Sequence, residues 1–137
     1  MIEHSIEIEI PFHDVDMMQV TWHGHYVRYL ELARCALLDR IGFGYKEMAA
    51  SGYAWPIVDM RLRYVRPCRF GDRVEVQVRV VEYEYRLKLD YLIRDAQSGQ
   101  RLTKASTVQV ALDTSNGELI YPSPQVLVEP MERACAA

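Results

Sequence analysis

The chain has 137 residues, enough for one domain whose core needs neither disulfides nor a structural metal. Half of the residues are hydrophobic and 26% are charged, an ordinary globular balance, and the net charge of −3 argues against a broad basic surface for nucleic acid. Cys35, Cys68 and Cys135 are too few and too scattered for a disulfide framework, and no CxxC pair is present.

In chain order, Ile6, Ile8 and Ile10 alternate with Glu7 and Glu9, the period-two pattern of a half-buried strand that Pro11 ends. The opening "MIEHSIEIEI" lacks the basic region and apolar run of a signal peptide. With no apolar run as long as a membrane span, a cytoplasmic location is expected. A loop follows to about Trp22. From about Gly24 to Ile41 the period changes: Gly24, Arg28, Glu31 and Asp39 share one stripe, with Cys35 in line, and almost everything else is apolar. So narrow a polar stripe predicts a helix buried over most of its circumference. Cys35 inside this pattern reads as a small buried hydrophobe. Gly42 and Gly44 stop the helix, and "YKEMAAS" adds a helical turn.

The remainder reads as strands: "WPIVDMRLRYV", "RVEVQVRVVEYEY", "LKLDYLIRD", "RLTKASTVQVALD" and a short "LIYP". Gly-bearing turns at "AQSGQ" and "TSNGE" favour antiparallel hairpins. Residues 1–137 read as a single domain, with a loosely organised tail from about 122 to 137. A lone apolar helix needs cover, and a curved antiparallel sheet wrapped around it supplies that cover.

The stretch "PFHDVDMMQVTWHGHYVRYLELAR" holds Asp14 and Asp16 one residue apart, then His23 and His25. Three readings compete: a metal site, an acid/base site, or a polar loop ahead of a buried helix. The two histidines diverge by about 200° at a helix start and no zinc-ligand spacing is present, so neither a metal nor any other cofactor is expected.

The element order and this stretch together resemble the hotdog fold, and more narrowly the 4-hydroxybenzoyl-CoA thioesterase family, including its Tol–Pal-associated acyl-CoA thioesterases. The residues that carry the resemblance are Asp14, Asp16, Val20, Trp22, His23 and Tyr26, "YLELAR", and "MRLRYVRPCRFGDRVEVQVRV", over about residues 5 to 120. It implies an α+β hotdog domain, a long central helix wrapped by a curved antiparallel sheet of about five strands. It implies hydrolysis of an acyl-CoA or acyl-carrier-protein thioester by a homodimer or homotetramer. Met17-Met18-Gln19 stand where relatives carry small residues, and Gly24-His25 where they usually have Asn or another residue. These departures bear on substrate choice.

The resemblance casts Asp16 as general base or nucleophile. The backbone amides near His23 and Gly24, at a helix N-terminus with free N–H groups, are expected to polarise the thioester carbonyl. Tyr26, Trp55, Val58, Arg66 and Arg86 are the expected substrate contacts, Arg86 toward the nucleotide end and the Trp55–Val58 loop from the partner subunit. Each has a plainer reading. Asp16 also suits a turn, His23 and Tyr26 suit packing, and surface arginines such as Arg61, Arg63, Arg66, Arg69 and Arg86 are common. Glu31 is at salt-bridge spacing from Arg28 and Arg34, which favours a structural role. The rival classes are a carrier-protein hydratase, whose "HFPG"-like stretch is absent, and a non-catalytic acyl-binding module.

Overall fold

The computed structural model describes residues 2–136. Strand β1 (Glu3–Glu9) leads through a loop and a 3-10 turn (His23–His25) into helix α1 (Tyr26–Arg40), then α2 (Tyr45–Ala50). Strands β2 (Tyr53–Ala54), β3 (Ile57–Tyr64), β4 (Arg73–Glu82), β5 (Leu87–Asp95), β6 (Arg101–Gln109), β7 (Ala111–Asp113) and β8 (Glu118–Ile120) follow, and helix α3 (Gln125–Ala136) ends the described chain. Five strands form one antiparallel sheet in the order β1-β4-β5-β6-β3, and β2, β7 and β8 form a small second sheet.

The alternation of Val74, Val76, Val78 and Val80 on β4, and of Leu87, Leu89, Tyr91 and Ile93 on β5, buries one face of each strand. Helix α1 lies on that face against β1 and β4, burying Tyr26, Tyr29, Leu30, Ala33, Leu37 and Leu38. This is the α+β arrangement of a long helix held in a five-stranded sheet. Burying a Leu- or Val-sized side chain stabilises by roughly 1.5–3 kcal/mol, so this interface dominates the fold.

Three details differ from the sequence expectation. Cys35 is exposed, because it stands on the same helix stripe as Arg28, Glu31 and Asp39, while the buried cysteine is Cys68. The run from Arg101 to Asp113 divides at Val110, where the chain leaves the large sheet for the small one. Residues 125–136, expected to be loose, form α3, which buries Val128 and Pro130 and sets Leu127 and Met131 into the core. The two ends of the chain, Met1 and Ala137, lie outside the described residues. None of the described helices is long and apolar enough to cross a membrane.

Candidate active site

The polar stretch ahead of α1 is fixed from its first aspartate. Asp14 is 1% exposed, and its Oδ2 accepts hydrogen bonds from the Arg28 guanidinium and from Tyr29 Oη at 2.6 Å. Burial pushes this carboxyl up, but the bonds from Arg28 and Tyr29, with the charge of Arg28, outweigh it and hold Asp14 below the usual aspartate range. Burial, and then the bond to Asp14, push the Tyr29 phenol far above its ordinary value. The Asp14 carbonyl also accepts from the Trp22 amide at 3.1 Å, so one residue ties both ends of the loop to α1.

Asp16 faces the other way. It opens a tight reversal in which its amide donates to Val20 O at 3.0 Å, the Gln19 amide returns to its carbonyl at 2.9 Å, and its Oδ1 accepts from the Met18 amide at 2.9 Å. Gln19 closes the turn at φ 63°, and Met17 projects fully into solvent. The Thr21 amide donates to Cys68 O at 2.7 Å, and the Phe70 amide to Gln19 O at 3.2 Å, which pins the reversal to the bend after β3.

Between that bend and the start of α1 lies an open cleft of about 510 Å³ lined by Asp16, Thr21, Trp22, His23, Tyr26, Tyr64 and Arg66, among others. The His25 amide donates to Trp22 O at 2.9 Å and the Tyr26 amide to His23 O. The amides of His23 and Gly24, first in the helical run, have no acceptor among the described residues. Free donors of this kind are chemically able to stabilise a developing oxyanion. Gly24 is needed here for space, since a Cβ would meet the Trp22 ring at 2.1 Å.

Tyr26 Oη accepts from the Cys68 amide at 3.0 Å, and burial raises its pKa well above the ordinary phenol value. Its tip ties α1 to the bend while its ring forms part of the cleft wall. Burial also pushes the Cys68 thiol up to about 11, so the thiol stays protonated at neutral pH. Tyr64, which sequence reading passed over, donates to His23 O at 3.0 Å and stacks edge-on against Tyr26 at 4.9 Å between centroids. The signal for it was its place at the end of a strand, directly before "VRP".

Four of the sequence candidates thus meet in one cleft: Asp16, His23, Tyr26 and Arg66. Gly24 adjoins them through its amide. Three others do not. Trp55 is buried against Phe43 at 5.3 Å, with its carbonyl accepting from Gln109 Nε2 at 2.6 Å, so within its own chain it is a core residue. Val58 and Arg86 line a separate groove of about 530 Å³ with Tyr85, Val108 and Tyr121, where Arg86 Nε lies 3.3 Å from Glu82. Glu31 pairs loosely with Arg34 at 3.9 Å; Arg28 serves Asp14 instead. The carboxylates of Asp14 and Asp16 therefore have different neighbours and do not converge.

Comparison with known proteins agrees with this architecture. A Synechocystis protein provisionally named esterase sll0410 is 30% identical over 126 residues, 91% of this chain and 76% of that protein. The acyl-acyl carrier protein thioesterase ATL3 of Arabidopsis thaliana is 26% identical over 121 residues, 88% of this chain and 64% of that protein. The solved structure of DHNA-CoA thioesterase from Staphylococcus aureus matches with a TM-score of 0.87 at 26% identity, covering 99% of this chain and 93% of that one. The profile of the thioesterase-like superfamily matches residues 10–131, and the chain accordingly belongs to that superfamily of hotdog-fold thioester hydrolases.

Proposed function

We propose that this protein is an acyl-CoA thioesterase in which Asp16 activates water, or attacks the thioester carbonyl itself, while the amides of His23 and Gly24 hold the developing oxyanion. The observation that carries the reading is the shared cleft: an exposed carboxylate opposite a helix start whose first two amides are unspent. Removing one such donor typically costs ~2.7–4 kcal/mol of transition-state stabilisation. The His23 side chain stacks on Trp22 at 5.2 Å, so its backbone carries more of the proposed chemistry than its ring.

The site is proposed to be complete only in a homodimer. Strand β3 pairs with β6 along one edge and, among the described residues, has no strand partner on the other, and its Ile57, Val58 and Tyr64 are exposed. The Asp16 cleft lies at the Tyr64 end and the Val58–Arg86 groove at the Ile57 end, ~23 Å apart at 3.3 Å per residue. Within one chain they cannot act on the same thioester carbonyl. Antiparallel pairing of two β3 strands about a two-fold axis brings the groove of one subunit to the cleft of the other, which makes Val58 and Arg86 substrate contacts from the partner. Further pairing into a tetramer is compatible with this arrangement.

Met17 and Met18, exposed at the tip of the reversal beside Asp16, are the proposed determinants of acyl preference. Similarity to ATL3, an acyl-acyl carrier protein thioesterase, supports a second carrier, acyl carrier protein. The test is a screen of short, long and aromatic acyl groups on both carriers, with wild type and Asp16→Asn side by side. Hydrolysis of some thioester that disappears in the variant supports the proposal. Wild-type turnover by Asp16→Asn sinks the assignment of Asp16, and no turnover of any thioester by wild type sinks the enzyme reading.

A further inference from the structure

The outer face of the five-stranded sheet, away from α1, carries its charges unevenly. At the β1 edge Glu3, Glu7 and Glu9 point outward with Glu75 on β4 opposite Glu7, and these carboxylates are matched by arginines: Arg79 stands opposite Glu3, Arg73 lies 3.8 Å from Glu7 and Arg94 2.6 Å from Glu75. Toward the β3 edge cations outnumber carboxylates, Asp59 being the one acidic residue of β3 on this face. Arg61, Arg63, Arg79, Arg101 and Lys104 line one shallow depression of about 480 Å³.

Strand register explains the grouping. Arg63 stands directly opposite Lys104, Arg61 opposite Ser106, and Arg79 opposite Asp90. Asp90 is the one carboxylate of the depression and is engaged by Arg79 at 3.4 Å. Among the described residues, Arg61, Arg63, Arg101 and Lys104 have no carboxylate within 4.0 Å. Five cations and one carboxylate give the lining of this depression a formal charge of +4, on a chain whose net charge is −3, with Asp59 just outside it on the same face of β3. Like charges directly opposite each other on neighbouring strands destabilise a sheet, so folding does not account for the cluster.

The patch is continuous with the candidate active site. Arg63 adjoins Tyr64, which lines the Asp16 cleft. The amides of Val65 and Arg66 both donate to Leu102 O at 2.9 Å, placing Arg66, another lining residue, beside Arg101. A cationic path therefore runs from the outer face, around the end of β3, to the mouth of the cleft.

Resting on the thioesterase reading above, we propose that this face docks the acidic surface of an acyl carrier protein, which makes carrier-protein thioesters substrates alongside acyl-CoA. The patch spans three strand spacings, ~14 Å, a width that suits several carboxylates on a protein surface. It offers no exposed aromatic ring for a nucleobase to stack on, since its single ring, Tyr91, is buried on the inner face. A second copy presenting the same face meets like charge.

The test compares kcat/KM for one acyl group carried by CoA and by a purified acidic acyl carrier protein, using the full chain, wild type and R63E/K104E, at low and raised ionic strength. Both charge reversal and salt are expected to lower the carrier-protein value about ten-fold or more, and charge reversal to leave the acyl-CoA value within about two-fold. The milder R61Q/R101Q, which guards against a misfolded reversal variant, is expected to give a smaller loss with the same selectivity. Equal losses on both carriers, no loss on either, or turnover of acyl-CoA without any turnover of the carrier-protein thioester overturns the proposal. If wild type hydrolyses neither, the thioesterase reading fails instead. Docking is then decided by calorimetric titration of the carrier protein into wild type and R63E/K104E: binding that the variant loses supports the face, and no difference overturns it.

Discussion

Asp14 and Asp16 are two residues apart, and the fold gives them opposite work. Asp14 is enclosed, ionised and bound to Arg28 and Tyr29, so its carboxylate has little left to offer a substrate. Asp16 is exposed at a cleft, and among the described residues only its Oδ1 has a partner, the Met18 amide of its own turn. The first anchors the loop and the second is left available by that anchoring. Local spacing cannot distinguish such roles, because both residues sit in the same polar loop. What separates them is the course of the backbone: a 3-10 turn at Phe12–Asp14 points one side chain at α1, and the reversal at 16–20 points the next toward the bend after β3.

The sharpest way to break this contrast is Asp16→Asn. Asparagine keeps the acceptor that caps the turn, so stability is expected within about 0.5 kcal/mol of wild type. Loss of a general base is expected to lower kcat/KM for the best acyl-CoA by ~10²–10⁴-fold. Steady-state kinetics beside thermal melts checks both, and a parallel fall in melting temperature would move Asp16 to the structural side of the comparison.

Asp14→Ala is expected to do the reverse. It leaves the buried Tyr29 hydroxyl without its acceptor and Arg28 without its counter-ion. Arg28 is about half exposed and can turn to water, so the cost is ~2–3 kcal/mol, at the low end for a broken buried pair. Urea denaturation measures it. Any fall in activity should follow the folded fraction and the disorder of the loop, and should be smaller than that of Asp16→Asn.

Acidity gives a gentler probe of the same anchor. The folded-state pKa of Asp14 lies below its ordinary value of 3.8. Its contribution is therefore complete above that value and is lost as pH falls through the lower folded value. Wild type and Asp14→Asn should differ most in stability near neutral pH, and the gap should narrow below about pH 4. A gap that stays constant down to pH 2.5 would show that Asp14 stabilises through its shape and not its charge.

Much of this was legible in the residues. The valines of β4 and the leucines of β5 alternate strictly, so one buried face followed from spacing alone. That Asp16, His23, Tyr26 and Arg66 belong together was expected from the family resemblance and not from spacing, and the structure places all four on one cleft. Helix α3 was hidden because Pro130 interrupts a run whose Leu127, Met131 and Ala134 otherwise keep helical spacing; tertiary burial of Leu127 and Met131 compensates for the missing backbone bond. Arg28 was read toward Glu31, a neighbour in sequence, whereas its partner lies fourteen residues back across the loop. Trp55 looked available beside Pro56, and only the packing of Phe43 and Tyr53 against it shows it to be enclosed.

Tyr64→Phe is the smallest perturbation and tests whether the oxyanion side of the cleft is positioned from β3. The substitution keeps the ring that packs on Tyr26 and removes only the hydroxyl that holds His23 O. One neutral hydrogen bond at a partly exposed site is worth ~0.5–1.5 kcal/mol. If that bond sets the angle of the His23–His25 turn, the cost should fall on kcat, about two- to ten-fold, with KM little changed, because an oxyanion donor acts in the transition state more than in the bound ground state. A change confined to KM would instead place Tyr64 in substrate binding. An unchanged kcat and KM would leave the amides of His23 and Gly24 positioned by α1 and the Asp14 anchor alone, which returns the whole site to the contrast between the two aspartates.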